Sequence, residues 1–467
     1  MSGDACDRDN VAPAGRDDLS PVAEADRELL LTTAREALAY FLDPISFANG
    51  LVRDSARPDS PCSVAAVGFG AASLVCGVDL GLIDREDARQ RVARVVRAVL
   101  ELPMADEVSK SHHAAGYRGW FYHFLHADGP KRGQRRWQSE LSSIDSALMF
   151  AGLAFAADYF GEPIAQDVNT ILSRIDWSFM LRPGGLLSHG WRPEAIGGRR
   201  KGHGNDGFIR SDWTGYNEAL LLVLLALGDE LVSAEVFSAW FDTAKQSWQS
   251  PEGIEHLHCP PLFVHQFPHA FFDFRGVGND WLGERGLDLF ENSRRATLAQ
   301  IAYACRNPHG FAGYSETTWG LSSSNGPGNA HAKRVKLGGR SLRFHAYAER
   351  GVPPPGGAID DGTLAPWAVA ASVPFLPDEC LAGIRGHRAV TLCRPDWTGF
   401  MGSYNLTYQG DDCPHGWVDE HDLGIEQGPI VMMIANHLND TMWRTTRESP
   451  RFRVGMQRAN LKGGWLG

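Results

Sequence analysis

The sequence predicts an all-α protein of paired helices, and three observations carry that expectation. Apolar residues recur at spacings of three and four over 23–43, 63–82, 85–101, 143–160, 164–180, 215–228, 233–248, 287–305, 364–373, 377–388 and 427–446, the pattern of helices with one buried face. No alternating series of strands and helices runs along the chain, which argues against a doubly wound sheet or a TIM barrel. Between the helical stretches lie long connections rich in Gly, Trp and His, at 104–139, 181–214, 249–286, 306–363 and 391–426, longer than a compact helical domain needs for its turns. About a dozen helices in pairs would close into an (α/α)6 toroid with those connections at one end, although an open bundle would leave the same pattern.

Taken in order, residues 1–22 are polar and acidic with no apolar period, and read as a disordered tail ahead of a single domain over 23–460. They lack the basic and apolar segments of a secretory signal, so a cytoplasmic protein is expected. The stretch 143–160 opens on Ser142 with Asp145 three residues later, the spacing of a capping box worth about 1 kcal/mol to a helix end. The stretch 215–228 contains Ala219–Leu227, apolar all round and so deeply buried, yet far short of the roughly 20 residues of a membrane span. Late in the chain, Ala389–Cys393 and Gly399–Tyr404 are expected to pair as a small hairpin.

Composition narrows the function. Hydrophobic residues make up 43% and charged residues 22% of the 467, a balance that excludes wholesale disorder. A formal charge of −11 with no basic block makes nucleic acid and membrane surfaces poor partners. The eight cysteines form no CxxC pair, which favours reduced thiols. Phosphate loop, nucleophile elbow, HExxH and dinucleotide fingerprint are all absent. His256, His258, Cys259, His265 and His269 make the one metal-like grouping, but their spacing matches no standard site and Pro260 and Pro261 interrupt it. Neither a metal nor another cofactor is expected.

Acidic residues at helix starts are more informative, because glycoside cleavage needs one carboxylic acid for the leaving oxygen and one carboxylate for water or carbon. Glu140 stands just before the 143–160 helix and Asp145 in its first turn. Glu218 stands at the head of the apolar run, either as a dipole partner or as an acid whose pKa burial raises. Trp213 and Tyr216 beside it tip the balance, since aromatic faces next to carboxylates are what sugar rings stack on. Further aromatic and acidic segments in the long connections include Gly119–Leu125, Phe271–Gly276, Gly313–Gly320 and Asp360–Thr363; with 14 Trp placed mostly outside the helical stripes, they suggest a cleft for a polyhydroxylated ligand.

These residues carry a resemblance. The segments Ser63–Gly70, Tyr122–Leu125, Ser139–Asp145, Gly215–Leu220, His269–Gly276, Glu291–Gln300, Asn307–Phe311, Asp360–Thr363 and Leu423–Ile430 resemble, in order and spacing, the glucoamylase-like (glycoamylase) family, which includes the endo-β-1,2-glucanases of glycoside hydrolase family 144. The resemblance spans roughly residues 25–455. It implies an (α/α)6 toroid and endo-acting, anomer-inverting hydrolysis of β-1,2-glucan, with Glu218 as general acid and Glu140 or Asp145 as base or water-orienting group. It also implies a substrate cleft using Trp120, Tyr122, Trp213, Tyr216, Asp273, Arg275, Asn292, Glu316, Trp319, Asp361 and Gln427, in a monomer or weak homo-oligomer acting on oligo- or polysaccharide. Relatives commonly carry Asp where this chain has His126, and Asp before Gln-Gly-Pro where it has Glu426. The rival readings are a transglycosylase or phosphorolytic enzyme on oligosaccharides, and a catalytically inactive sugar-binding protein of the same fold. The presence of Glu140, Asp145 and Glu218 together argues against the inactive binder.

Overall fold

The computed structural model describes residues 22–467 apart from 330, 331, 338, 355, 356, 391–399, 401 and 410–412. Its helices are α1 (Glu24–Leu42), α2 (Val64–Asp79), α3 (Arg85–Leu100), α4 (Ser143–Phe160), α5 (Ile164–Leu172), α6 (Trp177–Met180), α7 (Ala219–Gly228), α8 (Glu235–Ala244), α9 (Phe263–Phe271), α10 (Asp280–Gly283), α11 (Leu289–Arg306), α12 (Pro366–Ala370), α13 (Pro377–Ala389), α14 (Gly424–Asn439), α15 (Thr441–Glu448) and α16 (Pro450–Arg458). Strands among the described residues are short and lie between the helices, in pairs apart from one three-stranded sheet of Met104–Ala105, Gly116–Tyr117 and Trp120–Phe121, the longest being the hairpin of Lys333–Leu337 with Arg340–Phe344.

Six of these helices touch in a cycle. α2 packs on α4, α4 on α7, α7 on α9, α12 on α14, and α14 returns to α2. The step from α9 to α12 is made by Gln266, whose Nε2 donates to the Ala368 carbonyl at 2.6 Å, and by the Phe267 ring beside Trp367. The remaining long helices lie against this cycle: α1 on α14 and α2, α3 on α2, α5 on α3 and α4, α8 on α7, α11 on α9, and α13 on α12. The cycle helices are buried on nearly all sides, which is why α2, α4 and α7 read as continuous apolar runs, whereas α3 and α5 keep a polar face.

The sequence places most elements within a few residues and misses several. The stretch 164–180 is two helices, because residues 173–176 turn between α5 and α6. The stretch 427–446 is broken at Asp440, whose left-handed φ of 58° separates α14 from α15. α9 lies inside what reads as a connection; its apolar residues Phe263, Val264, Phe267, Ala270 and Phe271 do recur at helical spacing, but it is only nine residues long, follows Pro260 and Pro261 and contains Pro268, the signals of a loop. α16 is likewise unforeseen. Of the expected late hairpin, Ala389 belongs to α13 and Tyr404–Asn405 pairs with Trp417–Val418, while 391–399 and 401 lie outside the described residues. The expected N-terminal tail also lies outside them except for Val22. Among the described residues, Cys62, Cys76, Cys259, Cys380 and Cys413 are free thiols. No helix among the described residues is long and apolar enough to cross a membrane.

Candidate active site

Short strands tie the starts of the cycle helices into one rim. Cys62–Ser63, leading into α2, pairs with Phe124–Leu125, and Leu141–Ser142, leading into α4, pairs with Gly190–Trp191. The backbone of His123 bridges them, its carbonyl accepting from Val64 N and its N–H donating to the Glu140 carbonyl at 2.9 Å. Glu140 and Asp145 at the head of α4, Glu218 at the head of α7 and Glu426 in the first turn of α14 therefore stand at helix N-termini, where the positive end of each helix dipole favours negative charge.

Glu140 is held on both oxygens: His123 Nδ1 lies 3.0 Å from Oε1, and Arg192 donates to Oε2 at 2.6 Å. Burial works against its charge, but the hydrogen bond and charge of His123 outweigh it and bring the carboxyl down to about 2. His123 responds in kind, with Asp145 and Glu140 overcoming burial to raise it to about 9. Its Nε2 is 3.5 Å from Asp145 Oδ1, and Asp145 Oδ2 accepts the Ser142 hydroxyl at 2.5 Å. His123, Glu140 and Asp145 also bring ligand atoms within 4.8 Å of one another, a grouping that could hold a metal ion; the Arg192 guanidinium supplies positive charge there.

Glu218 lies under the opposite influence. Removal from water pushes its carboxyl up to about 8, with the charges of Glu349 and Asp145 adding to the shift. Its side chain makes no capping bond to α7. Tyr216 beside it is buried, with its ring 5.2 Å from that of His265, and Trp213 donates its indole N–H to Ser143 Oγ at 2.9 Å while stacking on His189 at 3.8 Å.

Two further carboxyl groups join this site, Asp54, which the sequence does not single out, and Glu426, which it marks only as a departure from relatives. Asp54 is raised to about 6 by burial, against the pull of His123. Neither carboxylate oxygen of Glu426 has a hydrogen-bond partner among the described residues, and burial pushes it well above the usual carboxylate range, reinforced by Asp419 and Asp422. Gly402 lies close beside it: a Cβ there would stand 2.4 Å from Glu426 Oε2, so any larger residue would push that carboxyl aside. Asp54, His123 and Arg192 come from connections whose positions only tertiary pairing sets, so no local pattern announces them.

Other expected substrate contacts lie elsewhere. Trp120 and Trp319 have no exposed surface and belong to the core, Trp120 packing on Phe150 and Trp177. Tyr122 is sealed beneath Arg135, 4.3 Å from its ring. Asn292 binds the Leu257 backbone on both sides. Asp361 is spent on the fully buried Arg350. Asp273 and Arg275 follow the C-terminal end of α9 and join Asp440 and Arg447, at the end of the cycle away from Glu218. Glu316 is exposed on a loop that abuts α13 at Gly386. Gln427 is buried behind Glu426, its Nε2 donating to the Phe400 carbonyl. Of the histidine grouping, His256 Nε2 is 3.2 Å from His258 Nδ1 with both rings reaching backbone carbonyls, and His269 Nε2 is 2.9 Å from Ser293 Oγ, whereas neither ring nitrogen of His265 has a hydrogen-bond partner among the described residues.

Residues 210–450 match the model of the Glycoamylase family, described as "Putative glucoamylase". The chain belongs to this family. A protein of the same description from Bacteroides uniformis superposes with a TM-score of 0.75 at 22% identity, over 95% of this chain and 99% of that one. An endo-β-1,2-glucanase from Chitinophaga pinensis, crystallised with sophorotriose and glucose, gives a TM-score of 0.73 at 18% identity, over 94% of this chain and 98% of that one. The exo-β-1,2-glucooligosaccharide sophorohydrolase of Parabacteroides distasonis is 24% identical over 92% of this chain. This chain spans 58% of the length of that relative.

Proposed function

We propose that this glycoamylase-family protein is a glycoside hydrolase that cleaves β-linked glucan, with β-1,2-glucan as its substrate, and that the six-helix cycle is the inner layer of an (α/α)6 toroid in one catalytic unit. The observation that carries the reading is the opposed ionisation of two carboxyl groups at one rim: Glu218 is pushed up to about 8 and Glu140 down to about 2. Such a split is what an acid-assisted cleavage needs at neutral pH. The relatives' activities on β-1,2-glucan and its oligosaccharides support the choice of linkage.

In this reading Glu218 gives its proton to the glycosidic oxygen as the bond to the anomeric carbon breaks. Glu140, with both oxygens engaged, keeps its charge and steadies the positive charge developing on the sugar ring. Asp145, whose Oδ1 faces His123, takes the proton of the attacking water, so that one water adds across one bond. Attack from the face opposite the leaving group gives inversion, and cleavage inside the chain gives an endo pattern.

The test is incubation of the purified protein with linear β-1,2-, β-1,3-, β-1,4- and α-1,4-glucans, with and without phosphate. Products are read by chromatography and the first-formed anomer by NMR. Short β-1,2-oligosaccharides released first as the α-anomer, independent of phosphate, are expected. Products only with phosphate, or none from any glucan, would overturn the reading.

A further inference from the structure

We propose that Trp137 is a stacking platform for a glucose ring of the bound chain, at a subsite set back from the reacting carboxylates; this rests on the reading of the protein as a β-glucan hydrolase. Trp137 is 62% exposed, the one exposed tryptophan among the described residues. A single exposed aromatic needs no explanation by itself. This one does, because Trp137 and Gln138 adopt φ of 58° and 50° in succession, a left-handed conformation that bulky side chains avoid and that persists only where the surroundings enforce it.

The enforcement comes from the candidate site itself. Arg192 donates from Nη1 to the Gln138 carbonyl and from Nη2 to Glu140 Oε2, each at 2.6 Å, so one guanidinium ties the strained turn to the ionised carboxylate. Ser139 Oγ fixes the next residue by bonding both the N–H and the carbonyl of Phe124 at 3.2 Å. A line of rings then leads outward: His123, which contacts Glu140 and Asp145, stacks on Phe124 at 3.8 Å, and Phe124 meets the Trp137 ring edge-on at 5.4 Å. The strained turn thus holds a largely exposed indole at the end of an aromatic path that starts at the carboxylates, with the Arg136 guanidinium 5.0 Å over the ring, so that a sugar would take the other face. An indole face matches the axial C–H face of a pyranose, whose hydroxyls stay in water at the ring edge. Because the Trp137 ring reaches His123 only through Phe124, the sugar it would hold belongs to a more distant unit of the chain, and its contribution should depend on chain length.

The experiment compares wild type, Trp137→Ala and Trp137→Phe on β-1,2-gluco-oligosaccharides of increasing length, by initial rates and by calorimetric binding. Trp137→Ala should raise KM about tenfold on the longest chains, the effect of losing one good contact. It should act far less on the shortest, with kcat nearly constant, and Trp137→Phe should recover most of the loss. An effect of equal size at every length, or none, overturns the platform. If wild type cleaves none of these chains yet binds them more tightly with length, and Trp137→Ala flattens that trend, the hydrolase reading falls and the platform stands. Binding with no length-dependent loss overturns the platform whatever the activity.

Discussion

Gly68 of α2 and Gly152 of α4 meet backbone to backbone: a Cβ on Gly152 would stand 2.1 Å from the Gly68 carbonyl oxygen. A Cβ on Gly68 would stand 2.3 Å from the carbonyl oxygen of Leu148. This crossing sets the spacing of the two helices whose N-termini carry Ser63 and Glu140, so it governs both the core and the rim. Gly152→Ala must separate the helices, and a destabilisation of about 3 kcal/mol is expected, at the upper end for overpacking. Denaturant unfolding of the variant measures it; a stability equal to wild type would show that the helices part freely.

Glu218→Gln is expected to reduce turnover on the order of a thousandfold, as for loss of a general acid, while glucan binding persists. In wild type, kcat/KM should fall as pH rises through about 8, where this carboxyl loses its proton. The same variant should be more stable than wild type at neutral pH. The folded carboxyl binds its proton up to about pH 8 while the unfolded one releases it near 4.5, so wild-type stability declines as pH rises between those values. The advantage of the variant therefore grows across that window to on the order of 2–4 kcal/mol. Thermal midpoints that run parallel across it would sink the assignment of a raised pKa.

The contact of His123 with Glu140 makes the reverse prediction. His123 is raised from 6.5 to about 9, so its contribution is full below 6.5 and lost as pH rises through about 9. Glu140 is lowered from 4.5 to about 2, so its contribution is full above 4.5 and lost as pH falls through about 2. His123→Gln should thus cost about 2 kcal/mol at about pH 5.5, within the range for hydrogen bonds to charged groups. The gap to wild type should narrow on both sides of that window. Midpoints measured on either side check the shape of the curve.

Asp273 accepts from Arg275 Nε at 2.8 Å and from its Nη2 at 2.9 Å, with Arg447 on the same carboxylate. Asp273→Asn should destabilise the fold by about 3 kcal/mol, since it leaves two guanidinium groups short of their counter-charge. KM for glucan should not move, because this cluster lies at the far end of α9. A changed KM at unchanged stability would bring the substrate to that end.

What the sequence discloses follows from how local each feature is. The Ser142 and Asp145 pairing is legible because both partners sit within one turn, and Ser142 Oγ does accept from Asp145 N at 3.2 Å. Glu218 is legible because a lone acid heads a run of aliphatic residues. Asp54, His123 and Arg192 are not, since each reaches the rim only after distant strands have paired. The tryptophans mislead for a related reason: Trp120, Trp191, Trp240, Trp319, Trp367 and Trp443 fill the interior between helices and loops. Their position outside helical stripes says nothing of solvent. α9 escapes notice because it is only nine residues long and has Pro260 and Pro261 just before it and Pro268 inside it, which read as a connection.

Glu218 occupies the N-cap of α7 without capping it, and Asn217 does so instead, its Oδ1 accepting from Ala219 N at 3.2 Å. Structural duty and proton-bearing duty thus fall to neighbouring side chains. The carboxyl at position 218 can change its ionisation, or its identity, without unwinding the first turn beneath it. Selection could retune the acid's strength from one generation to the next while the helix that carries it stays put.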